Sequence, residues 1–252
     1  MTPPTPPPAP PPEEVALANA LKALKLVSAN LPHLAGLCHT IRVKVTRKKP
    51  VAAIGSTGLM LVNPKVFSET PLPDLVFVVA HELMHLALDT FGRAGNADPY
   101  LVNVAHDYVI NDILSVELGR GVPLGGLVRH GARQESLEAL VTELARSGSS
   151  GNPSGCWSVE RKKKPPKRKG PKSAITEQLE KLGLIPREPD EEEDAGGEDS
   201  SGGDTLSADE EAELEPELGP KERSAIRERV RREAVRAVSL KELRAELEKH
   251  AG

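Results

Sequence analysis

Aromatic residues are scarce: three Phe, two Tyr and one Trp stand among 252 residues, while proline occurs 23 times. Such a chain folds only in part into a compact body. Cysteine is nearly absent too. Cys38 and Cys156 lie far apart and outside any metal-ligand spacing, so neither a disulfide framework nor a cysteine metal site is expected. That usage fits a reducing, cytoplasmic compartment. No long apolar run survives either. The longest is cut by His81 and Glu82, which excludes a spanning helix. The start of the chain has neither the basic residues nor the apolar segment of an export signal. Residues 1–12 are nearly all Pro, Thr and Ala and read as an extended, disordered leader.

Charge is present but segregated. The net charge of −4 hides an asymmetry between a basic run at residues 161–172 and an acidic one at residues 188–217. Neither has apolar periodicity, so residues 149–220 read as a disordered, solvated linker. Apart from nearby Trp157 the basic run has no interleaved aromatics, so nucleic acid is not expected as a partner. A protein partner for the charged linker and the tail helix is the alternative.

The chemistry is concentrated at His81-Glu82-Leu83-Met84-His85, inside an almost wholly apolar stretch. On a helix His81 and His85 lie one turn apart on the same face, and two imidazoles at that spacing can grip one metal ion. Glu82 sits about 100° round the helix, close enough to reach water at the metal without ligating it. Thr70 and Pro71 read as N-cap and first helical residue, and Asp74 falls in the first turn.

A zinc site of this kind needs a third protein ligand. The next helix offers one. Asp98-Pro99 is a start signal and Gly119 a stop. Asn103, Asp107 and Asn111, four apart, form one polar stripe. Asp107 reads as the third ligand. Asn111 reads as the group that accepts a ligating histidine's other ring proton. His106 is the competing ligand, on a face shared with Val102, Val109 and Ile113. Asp112 reads as solvated or interhelical. Tyr108 and His130 read as structural rather than as oxyanion donors.

Residues 59–144 resemble the metallopeptidase domain of a bacterial family whose members usually carry a C-terminal von Willebrand A-like domain. The resemblance is carried by Leu61-Val62-Asn63-Pro64 with Phe67, by His81 to His85, and by Ala105-His106-Asp107-Tyr108-Val109-Ile110-Asn111. Residues 123–127 and the helix at 137–144 are similar as well. The family's second motif, Asp-Tyr-x-x-Asn, aligns its aspartate with Asp107, which favours Asp107 as ligand. The departure is His106, where the family is more often small. No Asp-x-Ser-x-Ser follows an apolar strand, so the von Willebrand-like domain is expected to be missing here.

The rest of the chain sets the expected frame. Residues 13–30 form an amphipathic helix with Leu17, Leu21, Leu24 and Ser28 along one side. Residues 40–46 alternate as a strand, and two short strands follow at 51–54 and 59–62. Residues 59–62 are the candidate edge for adding a substrate strand. A further helix presents Leu137, Leu140, Val141 and Leu144, and the compact domain is expected to span 13–148. Residues 221–250 form a helical tail with an apolar stripe at Ile226, Val230, Ala234 and Val238. A capping box at Ser239 and Glu242 implies two helices or a kink there.

The reading is an α+β, zincin-like protein with a small sheet beside the metal helix and disordered tails. It implies a zinc-dependent peptidase acting on a peptide or protein, with His81, His85 and Asp107 on zinc and Glu82 as general base. The alternative is a non-catalytic, zinc-stabilised module that works with a partner protein.

Overall fold

The computed structural model describes residues 10–93, 97–146 and 205–250. All belong to one compact unit, formed by Met1–Val159 together with Gly202–Gly252. Most of residues 1–12, both Trp157 and Cys156, and residues 149–204 with the basic run lie outside the described residues.

The architecture is α+β. Helix α1 (Pro12–Asn30) leads through a 3-10 turn (Pro32–Leu34) into the short α2 (Ala35–Cys38). Strands β1 (Arg42–Val45), β2 (Ala52–Ile54) and β3 (Leu59–Val62) follow. Then come α3 (Pro64–Glu69), α4 (Leu72–Ala87), α5 (Thr90–Arg93), α6 (Pro99–Glu117), α7 (Leu137–Arg146), α8 (Ala208–Leu214) and α9 (Pro220–His250). The sheet is mixed, in the order β1-β3-β2, with β3 parallel to β1 and antiparallel to β2.

That order overturns one expectation. Residues 59–62 are not an edge: Leu61 pairs with Lys44 on one side and Ala53 on the other. All four residues of β3 are buried, as suits a central strand lacking polar alternation. The edges are β1 and β2, and Leu206 donates to the Ile54 carbonyl at 2.8 Å on the outer side of β2.

Helix α4 is the axis of the core. Every residue from Leu75 to Ala87 is buried, because α1, α6, α9 and β2 pack around it. A helix apolar all round is stable only when enclosed in this way. Its N-cap is Pro71, one residue later than the sequence implies. Asn63 caps α3, accepting from Lys65 N at 3.0 Å while its amide donates to the Lys49 carbonyl at 2.7 Å. The amphipathic face of α1 also differs from expectation. It buries Ala16, Ala20, Ala23, Leu24 and Val27, and leaves Leu17 and Leu21 at 37% and 46% exposure. Alanines bring α1 close against α3 and α4, and close packing decides the face over side-chain size.

The compact unit does not close at residue 148. Residues 205–219, expected as linker, are ordered. Leu206 and Leu214 cover the outer face of the sheet over Ala53, Leu59 and Leu61. Ser207 caps α8 through a capping box with Glu210. Glu211 is buried, accepting from Thr57 N at 2.8 Å, Thr57 Oγ1 at 2.8 Å and Ser56 Oγ at 3.1 Å. The acidic run reads as solvated only while its basic and hydroxyl partners, far upstream, are unknown. Helix α9 runs unbroken through Ser239, so the expectation of two helices there does not hold. It packs on α2 and α4 through Val230, Ala234 and Ala237, so its apolar stripe is used within the chain. Among the described residues no helix is long and apolar enough to cross a membrane.

Candidate metal centre

Two helices carry the site. On α4, His81, Glu82 and His85 are wholly buried; on α6, so is Asp107. Asp98 caps α6, accepting from Tyr100 N at 2.9 Å, and Pro99 occupies the first turn. Gly119, with φ +61°, takes the chain out of the helix. These caps fix where α6 starts and ends, and so the height at which Asp107 meets α4.

The three donors converge. His81 Nε2 and His85 Nε2 are 3.1 Å apart, and Asp107 Oδ1 lies 3.5 Å from the first and 3.2 Å from the second. Ligands about 2.0–2.1 Å from a tetrahedral zinc stand about 3.3 Å from one another, so the donor set fits such an ion. Burial pushes the Asp107 carboxyl up, but contacts with His81 and then His85 outweigh it and hold it down at about 2. The group is therefore a carboxylate, the form that binds a cation.

The histidines are oriented from behind. Asn111 donates its amide to the Leu127 carbonyl at 2.8 Å. A carbonyl only accepts, so the amide oxygen must face His81, whose Nδ1 lies 2.9 Å from it. With a metal on Nε2, His81 would carry its proton on Nδ1, facing this oxygen. The sequence expects Asn111 behind a ligating histidine, and the contact it makes is with His81. His85 Nδ1 lies 3.1 Å from Thr90 Oγ1. Thr90 has no sequence signal, because a turn after α4 brings it back onto the helix. Asn103 Nδ2 approaches Asp107 Oδ2 at 3.4 Å.

His106 is buried beside the centre, its ring nearly perpendicular to that of His85 with centroids 6.5 Å apart. It is not one of the three converging donors: the group that can hold a metal is His81, His85 and Asp107. Asp112 is not solvated; it links α6 to the 3-10 turn at Ala132–Gln134. It is buried and accepts from Gly131 N at 3.2 Å and Arg133 N at 3.1 Å, pinning the loop after α6. Tyr108 is half-buried and packs with Val102 and Leu140, and His130 is exposed.

A buried His-Glu-x-x-His helix, completed by a carboxylate from the next long helix, defines a centre able to hold a metal ion. The chain belongs to the family described as "putative metallopeptidase domain", whose model matches residues 16–249. The match takes in the sheet, both metal-centre helices, α8 and nearly all of α9. No curated protein and no solved structure matches the chain.

Proposed function

We propose that the protein is a zinc-dependent metallopeptidase of the zincin type, in which His81, His85 and Asp107 hold the metal and Glu82 is the general base. The convergence of the three donors at 3.1 to 3.5 Å carries this reading. Two imidazole nitrogens and one carboxylate oxygen are a donor set that suits zinc and leaves a position for water or substrate. Zinc there supplies Lewis acidity, polarising the scissile carbonyl and lowering the pKa of water to about 7. Asn111 holds His81 in the metal-binding tautomer. The Glu82 carboxylate takes a proton from the attacking water as its oxygen bonds to the carbonyl carbon. It then passes that proton to the nitrogen as the C–N bond breaks. The apolar walls of α4 exclude bulk water and strengthen these charge interactions.

Glu82→Gln tests the mechanism. It keeps the shape of the side chain and removes the base. The variant should retain zinc and lose cleavage of an unfolded protein substrate such as denatured casein. Cleavage at the parent rate would sink the role given to Glu82.

A second reading is favoured by one observation: His81, Glu82, His85 and Asp107 are all at 0% exposure. A centre buried out of reach of substrate suits a metal that holds the fold together. In that reading the zinc stabilises a non-catalytic module, and the charged residues 149–204 meet a partner protein. Chelation would then unfold the chain, and no substrate would be cleaved. Either way we assign the protein to the reducing cytoplasm. The Cys38 thiol is free, and burial pushes it up to about 11, so it is unreactive at neutral pH.

A further inference from the structure

We propose that Thr90 is a positioning residue of the metal centre: its hydroxyl accepts the Nδ1 proton of His85 and so holds that imidazole in the tautomer that binds metal. The inference rests on the metal-holding role of His85 given above, and not on whether peptides are cleaved.

The turn after α4 is shaped to deliver this hydroxyl. The helix ends at Ala87, and Asp89 takes a left-handed backbone, φ +53°, which is rare outside glycine and tolerated best by Asp and Asn. Asp89 N donates to the Leu86 carbonyl at 3.2 Å, and Gly92 N to the Asp89 carbonyl at 3.0 Å. Gly92 has no Cβ where the Asp89 carboxylate lies: one built there would sit 2.5 Å from Oδ2. The chain therefore reverses tightly, and Thr90, five residues after His85, comes back under its ring at 3.1 Å. Thr90 is buried, so its hydroxyl competes with little water for the imidazole.

The chemistry of the ring makes the contact matter. An imidazole that ligates through Nε2 carries its proton on Nδ1 and needs an acceptor there. His81 has the Asn111 amide oxygen, whose direction is fixed by Leu127. His85 has Thr90. Without that acceptor the Nδ1 proton would be buried without a bond in the ligating tautomer, and the Nε2–H tautomer, which cannot bind metal, would gain. A threonine hydroxyl can serve because it donates or accepts as its surroundings require. The two ligands on α4 are thus oriented by two unrelated devices, one from α6 and one from the turn that ends α4 itself.

The test uses the full chain, zinc alone and a competing chromogenic chelator. Thr90→Val keeps the side-chain shape and removes the hydroxyl; Thr90→Ser keeps the hydroxyl. Thr90→Val should weaken zinc binding about ten- to a hundredfold, with Thr90→Ser close to the parent. Unchanged affinity in Thr90→Val overturns the proposal. So does equal weakening in both variants, which would assign the effect to packing. Nitrogen-15 imidazole spectra of the zinc-loaded parent give a check that needs no variant: His85 should be protonated at Nδ1 and not at Nε2, and the reverse also overturns the proposal. If the parent takes up no zinc at all, the metal reading itself fails and Thr90 falls with it. Loss of peptide cleavage alone leaves all these readouts intact.

Discussion

Arg42 and Glu215, 173 residues apart in sequence, form a two-pronged ion pair: Arg42 Nη2 lies 2.6 Å from Oε2 and Nε lies 3.0 Å from Oε1. The same guanidinium donates to the Thr57 carbonyl at 2.9 Å. Strand β1, the β2–β3 turn and the segment after α8 are therefore locked at one point. Lys49 with Glu210 at 2.9 Å, and Lys44 with the Leu214 carbonyl at 2.7 Å, extend the lock along the sheet.

Its buried centre is Glu211. Replacing it with alanine leaves the Thr57 N–H and hydroxyl without their acceptor inside the protein. Glu211→Ala should cost about 1–3 kcal/mol or more of stability, read from urea unfolding. A change within about 0.5 kcal/mol, as at an ordinary surface position, would show that residues 205–217 are a loose appendage.

Acid should loosen the same lock. The Arg42 guanidinium holds Glu215 below its ordinary value of 4.5. A carboxyl with a lowered folded-state pKa binds its proton more readily when unfolded. Its contribution is thus complete above the ordinary glutamate range and is lost as pH falls through the lower, folded value. The urea midpoint of the parent should drop from about pH 5 downward. In Arg42→Met the part of that drop due to Glu215 should shrink, since only Lys44 and Arg223 remain to hold its carboxyl down. Parallel curves for the two proteins would contradict this.

Metal content separates the candidate ligands. The purified parent should carry about one zinc per chain. His81→Ala and Asp107→Ala should lose it, whereas His106→Ala should keep it, because His106 is not among the converging donors. Elemental analysis decides. Zinc lost from His106→Ala but kept by Asp107→Ala would exchange their roles.

The alanine face of α1 makes a steric prediction. Ala20 is fully buried, and Ala20→Leu adds three carbons to a close contact, which should cost about 1–3 kcal/mol. Leu21, its neighbour, is 46% exposed, and Leu21→Ala should cost under about 1 kcal/mol. Thermal melts of the two variants would give opposite ranks if leucines, not alanines, formed the packed face.

Local signals carried the helices. Asp98-Pro99, Gly119 and the apolar spacing at 137–144 mark ends and faces by short-range rules, and α6 and α7 follow them. The ligand pair His81 and His85 was legible because helical geometry alone puts them together, and Asn111 because it repeats the same period on the next helix. Strand order was not legible. Three short strands do not say which is central, and pairing is settled by what covers each one: Lys44 and Ala53 flank Leu61 only once the chain has folded. Thr90 was silent for the same reason, since its contact depends on the backbone reversal at Asp89.

The sequence by itself determined a buried His-Glu-x-x-His helix, a second helix with a polar stripe, and so the type of chemistry available, because these features repeat over one or two turns. Only the tertiary structure decided that Asp107 rather than His106 meets the histidines, since that depends on the rotation of α6 against α4. It also decided that an acidic stretch belongs to the fold. Glu211 and Glu215 are poor candidates for burial on their own charge. They are buried because Thr57 and Arg42, more than 150 residues earlier, supply the hydrogen bonds that replace water.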